Sequence, residues 1–476
     1  MNDKEHFSQQ SQMPLSAADL FAWHKRPGAF ERLSPPWVDM RVLERTGGIE
    51  EGARVVLEIR QGPVAQKWTL EHTGFEDGHQ FKDFQVSGPF VSWEQLHACE
   101  SIDENSSFLK DLVTYELPLH AVARPLAVPM IQHELRRLFR YRHRLMLKDC
   151  ESVRRYSKLP FGLDGAPRKR VLVTGSTGLV GRHLVPFLWT QNCEVVRLIR
   201  PSSDHSEVVR TFPNPEPVAI WEPSSGFMES SVLENIDCVV HLSGDNLARG
   251  RWNEAKKERL RDSRMSSTRL LVETILNMKN RPSVFLCASA IGFYGNRDDQ
   301  LVDETKQVGG GFLAHLCEEW ESITEPLKRA GVRVVNLRIG VVLSARGGAL
   351  GAMLPIFQAG GGGPIGSGNQ YLSWISPDDL SNGIFHCIET DSVSGPVNLV
   401  APNPVQNKIF AETLGHVLFR PAFMPLPAFA ARAIFGEFAD EALLSGARVL
   451  PKKLVDSGYI FRDPDLETAL RSQLGS

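Results

Sequence analysis

The segment Arg170-Val171-Leu172-Val173-Thr174-Gly175-Ser176-Thr177-Gly178-Leu179-Val180-Gly181 decides the fold of this 476-residue chain. Val171 to Val173 read as a short buried strand, and Leu184, Val185, Phe187 and Leu188 recur at helical spacing after the glycines. A second apolar run, Val195 to Ile199, follows. Strand, glycine turn, helix and strand within about thirty residues form a βαβ unit suited to a dinucleotide pyrophosphate. Gly175 permits the tight turn, Gly178 lets backbone N–H groups approach the phosphates, and Gly181 lets the helix pack closely on the sheet. The helix N-terminus adds unsatisfied N–H donors and a positive dipole end. The expected cofactor contacts are therefore Thr174, Gly175, Ser176, Thr177, Gly178, Leu179, Val180 and Gly181. Glycine turns also occur as plain connectors; the flanking periodicity favours the nucleotide reading here.

The end of the second strand bears on which dinucleotide is bound. An acid there takes the ribose 2′-hydroxyl of NAD, whereas a nearby arginine accommodates the 2′-phosphate of NADP. The strand here ends at Arg200, followed by Pro201-Ser202-Ser203, and Asp204 comes late. Arg200 can pair with a phosphate and the two serines can donate to it. NADP(H) is thus favoured over NAD; the plainer alternative for Arg200 is a solvated side chain at a strand end.

Bulk properties bound the remaining possibilities. The length implies two or three domains. Hydrophobic content of 42% and charged content of 23% are those of an ordinary globular protein, and a net charge of −3 gives no reason to expect nucleic acid. The 7 cysteines contain no Cys-x-x-Cys pair, and no His/Cys/Asp/Glu cluster has metal-ligand spacing, so neither a disulfide scaffold nor a metal site is expected. Residues Met1 to Met13 lack an apolar signal core, and Leu418 to Phe438 are too broken by Arg and Pro to span a membrane. A cytoplasmic protein is expected.

The chain divides near residue 160. Residues 1–155 carry alternating runs at Ala53 to Arg60, Ala65 to Thr73, Gln80 to Ser87, Phe90 to His97 and Phe108 to Leu117, with turns at Asp77-Gly78 and Gly88-Pro89. A helix follows from about Pro129 to Val153. Residues 156–168, rich in Pro and Gly, read as a linker. An antiparallel sheet gripping a long helix is the START-like architecture. The words Phe21-Ala22-Trp23-His24-Lys25-Arg26-Pro27-Gly28-Ala29-Phe30, Arg32-Leu33-Ser34-Pro35-Pro36-Trp37 and Gly88-Pro89-Phe90 resemble its SRPBCC, polyketide-cyclase-like members. The resemblance implies an α+β helix-grip domain with an interior that could hold an apolar ligand. Trp23, Trp37, Trp68 and Trp93 serve equally well as core. Arg136, Arg137, Arg140, Arg142, His143 and Arg144 on the helix suit either an anionic ligand or membrane surface, or simply a solvated face.

From Lys169 to about Leu474 the chain resembles the extended short-chain dehydrogenase/reductase superfamily. The branch is that of the NAD(P)-dependent epimerase/dehydratase family that ends in a small domain of unknown function. The match is carried by Val239-Val240-His241-Leu242-Ser243-Gly244-Asp245-Asn246, Ala288-Ser289-Ala290-Ile291-Gly292-Phe293-Tyr294-Gly295, Leu337-Arg338-Ile339-Gly340, Ser373-Trp374-Ile375-Ser376-Pro377-Asp378-Asp379-Leu380 and, near the end, Leu444-Ser445-Gly446-Ala447-Arg448. The resemblance implies a Rossmann doubly wound parallel sheet at residues 169–402 and a small C-terminal lobe at 403–476. It sets Leu242, Ser243 and Gly244 under the cofactor and Ser289 beside the nicotinamide. The glycine run Gly360 to Gly363 would be a flexible loop over substrate.

The chain departs from this pattern at the catalytic pair. Active members use a Tyr and a Lys four residues later, the Lys lowering the phenol from its usual pKa near ~10. None of the six tyrosines here has Lys at that spacing, and Leu313 and Cys317 fall where the pair belongs. Three readings follow: an oxidoreductase or epimerase using Ser289 or Tyr294, with help from His315 or Asp378; a catalytically silent nucleotide-binding regulator acting through a partner protein; or a sensor of an apolar ligand. A homo-oligomer is compatible with all three, and the first is preferred.

Overall fold

The computed structural model describes residues 4–62, 64–118, 124–156, 169–201, 217–229, 233–248 and 250–476. In the N-terminal half, seven strands form one antiparallel sheet: β1 (Glu5–Met13), β2 (Asp39–Thr46), β3 (Arg54–Gln61), β4 (Val64–Glu76), β5 (Gln80–Ser87), β6 (Ser92–Asp103) and β7 (Ser106–Glu116). Their order is β1-β7-β6-β5-β4-β3-β2. Helices α1 (Ala17–Lys25) and α2 (Ala29–Leu33) lie between β1 and β2, and α3 (Arg124–Tyr156) packs across the sheet. This is the expected helix grip. Sequence reading missed β1 and β2, both edge strands. β1 turns only Phe7 and Met13 fully inward, so its polar alternation resembles a tail.

Two apolar clusters fill the space between sheet and helix, one around Phe21, Trp23 and Met146, the other around Trp93, Tyr115 and Phe139. Trp23 and Trp93 are core residues, and Trp68 packs edge-on against Trp93 with centroids 5.1 Å apart. Between the clusters runs a ladder of alternating imidazoles and carboxylates, one from each of four neighbouring strands and one from α3. His72 Nδ1 lies 2.7 Å from Asp83, His97 lies 3.2 Å from Asp83 and 2.6 Å from Asp111, and His143 lies 2.8 Å from Asp111. Burial pushes the His97 pKa down, but Asp111 and Asp83 outweigh it and raise it to about 9. His24, buried and next to this charged ring, is pushed down to about 4.

The second half is built on a parallel sheet. Its strands are β8 (Arg170–Thr174), β9 (Glu194–Ile199), β10 (Val218–Glu222), β11 (Phe227–Met228), β12 (Cys238–His241), β13 (Val284–Ala290), β14 (Leu301–Val302), β15 (Arg333–Ile339) and a last strand, Gly395–Leu399. All but β14 join in the order β11-β10-β9-β8-β12-β13-β15-(Gly395–Leu399), with only β11 antiparallel. The first strand, β8, lies between β9 and β12, so the chain winds outward in both directions from it. The crevice at that reversal is where open α/β sheets bind ligands. Both faces are covered. Val171 and Val173 face α4 (Leu179–Thr190) and the helix Pro377–Glu389, while Leu172 faces the helices Glu254–Leu276 and Phe312–Ser322. All seven cysteines are buried. Among the described residues no helix is long and apolar enough to cross a membrane.

The two halves meet through buried charge. Arg32 of α2 grips Asp149 with two hydrogen bonds of 2.8 and 3.0 Å and donates a third, 3.0 Å long, to Asp378. Its guanidinium also covers the Phe187 ring of α4 at 5.3 Å. Burial pushes the Asp378 carboxyl up, but Arg32 and Lys148 overcome this and set its pKa at about 2. Ser376 caps the helix Pro377–Glu389, accepting from the Asp379 N–H at 3.1 Å.

Candidate nucleotide site and its surroundings

Gly175 has φ of +68°, and a Cβ there would stand 2.9 Å from the Leu242 carbonyl. A Cβ on Gly181 would stand 2.4 Å from the Gly175 oxygen and 2.6 Å from the Ser176 Cα. Both glycines are required by close backbone approach. Gly178 differs: its φ of −72° suits any residue, and a Cβ would meet only the Gly175 oxygen, at 3.2 Å. Gly178 is the N-cap of α4 and makes no side-chain cap bond. The first N–H groups of α4, at Leu179, Val180 and Gly181, thus carry no cap from the chain. Ser176 is 1% exposed, and its hydroxyl has no hydrogen-bond partner among the described residues.

The Thr174 hydroxyl has a structural task in the crevice. It bonds His241 Nδ1 at 2.8 Å and accepts from the N–H groups of Leu242 and Ser243, at 3.1 and 3.3 Å. It therefore ties β8 to β12 and fixes the Leu242-Ser243-Gly244 turn beside the glycines. His241 is a satisfied core histidine: Thr268 takes its other nitrogen at 3.0 Å, and burial lowers its pKa to about 3. A Cβ on Gly244 would approach the Arg264 guanidinium at 3.2 Å. Arg200 stands exposed at the end of β9, while Ser202, Ser203 and Asp204 lie outside the described residues. Residues 157–168 of the expected linker do so as well.

Across the crevice, Ser289 and Tyr294 belong to one buried network. Ser289 donates to Glu321 at 2.7 Å. Arg338 donates two bonds of 2.9 Å to the same carboxylate and a third, of 3.0 Å, to the Tyr294 hydroxyl. Tyr294 in turn donates to Asn398 at 2.7 Å, is fully buried, and has its pKa raised chiefly by that burial. Sequence reading did not single out Glu321 as a site residue or mention Asn398. The Ala-Ser-Ala-Ile-Gly-Phe-Tyr-Gly and Leu-Arg-Ile-Gly words held Ser289, Tyr294 and Arg338 but no sign that they pair.

Leu313 packs its Cβ against Gly292, where a Cβ would sit 3.2 Å away. Cys317 lies buried beside Ser289, and burial lifts its thiol to about 11. No acid or base occupies these two positions. His315 points to solvent near Glu318, and Asp378 is taken by Arg32, so neither reaches Ser289. The helix Phe312–Ser322 is capped from the C-terminal lobe: Glu441 accepts from the N–H groups of Phe312 and Leu313, each at 3.1 Å. The glycine loop is held rather than free. Gly362 and Pro364 accept from Met424 and Leu426, and a Cβ on Gly363 would collide with the Met424 backbone.

The profile of the NAD dependent epimerase/dehydratase family matches residues 171–399, that of a polyketide cyclase / dehydrase and lipid transport family matches 13–139, and that of a domain of unknown function matches 426–473. An epimerase family protein of Mycobacterium bovis is 41% identical over 300 residues, spanning 63% of this chain and 96% of that protein. The chain belongs to the NAD dependent epimerase/dehydratase family. A crystal structure described as the nucleoside-diphosphate sugar epimerase from Corynebacterium glutamicum superposes with a TM-score of 0.75 at 30% identity, over 98% of this chain and 90% of that one. The human epimerase family protein SDR39U1 (isoform 2), solved with NADPH, gives 0.56 at 32% identity over 64% of this chain and 99% of its own.

Proposed function

We propose that the chain is an NADP(H)-dependent oxidoreductase or epimerase acting on a small molecule yet to be identified. The observation that carries this is the pairing of an orphaned, buried Ser176 hydroxyl with an uncapped helix N-terminus at the reversal point of the sheet. Both are polar groups that an anion would satisfy. Thr174, Gly175, Ser176, Thr177, Gly178, Leu179, Val180 and Gly181 would hold the pyrophosphate, Leu242, Ser243 and Gly244 would line the nicotinamide side, and Arg200 would take the 2′-phosphate. The NADPH in the human relative supports this choice of cofactor.

NADP(H), when bound, supplies or accepts the hydride. Ser289 is the polar side chain we assign to the substrate oxygen. Glu321 fixes its rotamer and is itself held by Arg338. Tyr294 is assigned to positioning Arg338. The working units are residues 1–155, 169–402 and 403–476, joined by 156–168, in a cytoplasmic protein. An apolar ligand in the N-terminal unit would share the interior with the imidazole–carboxylate ladder.

Leu313 and Cys317 support a second reading, a nucleotide-binding regulator without turnover. Titration of the full chain with NADPH, NADH, NADP and NAD, followed by NADPH oxidation against a carbonyl panel, separates the two. A clear NADP(H) preference that Arg200→Ala removes, together with turnover that Ser289→Ala removes, is the expected result. Tight binding without turnover favours the regulator, and no binding by any of the four overturns both.

A further inference from the structure

The basic run on α3 divides into an inward and an outward set. Arg142 donates to the Leu33 carbonyl at 3.2 Å and His143 joins the buried ladder. His133, Arg136 and Arg140 instead face solvent. With Arg137 they line a cleft of about 330 Å³ between α3 and the C-terminal lobe, and Phe419 forms part of its wall. Arg137 is engaged: it lies 4.8 Å over the Trp37 ring and donates to the carbonyls of Leu474 and Gly475. Arg136 and Arg140 make no ion pair among the described residues.

Phe419 ends the helix Asn407–Leu418 with φ of +54° and is 74% exposed. That left-handed position normally falls to Gly or Asn, and a bulky side chain there is strained. Here the strain holds an aromatic ring out into water. Phe423 and Met424 follow at 76% and 55% exposure, on the segment that pins the glycine loop, and Ile356 beside that loop is 57% exposed. Phe419 thus stands beside the Arg136 and Arg140 guanidinium groups, and Phe423, Met424 and Ile356 are exposed on the segments that follow it and pin the glycine loop. Exposed apolar side chains gathered in this way mark a contact site.

We propose that this face docks on an anionic lipid bilayer, with Phe419, Phe423 and Met424 entering the interface and Arg136 and Arg140 pairing with headgroup phosphates. A bilayer provides both an apolar layer and a negative surface, so it meets both halves of the feature. A soluble anion would leave the aromatic side chains in water, and the chain's net charge of −3 makes the attraction a property of this face rather than of the whole protein. The proposal is independent of the nucleotide site.

The test is co-sedimentation of the full chain with phosphatidylcholine vesicles, with and without phosphatidylglycerol. Binding is expected only with phosphatidylglycerol, and should weaken as salt is added. Arg136→Ala with Arg140→Ala should reduce partitioning about thirtyfold, since each cation near the surface contributes about a fivefold step. Phe419→Ser with Phe423→Ser should reduce it about tenfold or more. Thermal midpoint and NADPH affinity should stay unchanged in both variants. Equal partitioning onto both vesicle types, or partitioning that neither variant alters, overturns the proposal. So does a concentration-dependent dimer of the wild type that Phe419→Ser disperses, because that would make the face a contact between two copies.

Discussion

Ser176 and Ser289 are both buried serines at the carboxyl edge of the same parallel sheet, yet they are left in opposite conditions. Among the described residues Ser176 has no partner, and the helix it introduces has no side-chain cap. Ser289 belongs to a chain of bonds in which Glu321, Arg338, Tyr294 and Asn398 satisfy one another. An unsatisfied buried hydroxyl costs about 1–3 kcal/mol when nothing fills it, so the β8 side of the crevice is prepared for a guest. The β13 side is complete without one. On the proposed reading, the β8 side of the crevice supplies affinity and the β13 side holds Ser289 rigid.

The strongest way to break this contrast is to remove the keystone of the satisfied side. Arg338→Met leaves Glu321 buried without its cation, and a loss of about 3–5 kcal/mol in unfolding free energy is expected by chemical denaturation. Nucleotide affinity of the surviving folded protein should stay near wild type. Gly181→Ala attacks the other side. Its methyl would stand within 2.7 Å of the Gly175 and Ser176 backbone, so α4 must shift. A destabilisation of about 1–3 kcal/mol and loss of NADPH binding in a fluorescence titration are expected together. Ser176→Ala sharpens the contrast further. Stability should hold or rise slightly, since an orphan is removed, while NADPH affinity falls about three- to tenfold, the share of one hydrogen bond.

The smallest effect lies outside the crevice and depends on pH. His97 is raised from 6.5 to about 9 by its two aspartates. Its stabilisation is therefore complete below pH 6.5 and is lost as pH rises through about 9. The thermal midpoint should decline over that window in the wild type, and His97→Gln should abolish the decline while leaving the crevice titrations untouched.

How much of this could be read in the sequence follows the range of each interaction. The βαβ unit was legible because its signals are local: an apolar run, three glycines, then helical periodicity. The five runs read as β3 to β7 were legible for the same reason, through alternation. β1 escaped because Glu5, His6, Ser8, Gln9 and Gln10 surround a single inward Phe7, and edge strands need no stronger pattern. The site was legible as far as its backbone geometry extends. The partners of Ser289 and Tyr294 were not, because Glu321 lies 32 positions from Ser289 and Asn398 lies 104 from Tyr294, and each pair meets only through the winding of the sheet. Asp378 misled for a related reason. It sits in a family word, but its partner, Arg32, comes from the other half of the chain.

That contact has a consequence for how the molecule comes apart. Arg32 and Asp149 belong to one half and Asp378 to the other, so separating the halves would leave the buried Asp378 carboxylate without its guanidinium before water could reach it. Melting of one half therefore removes the counter-charge on which the other depends. A calorimeter should record a single endotherm for the whole chain, and each half produced alone should melt well below it.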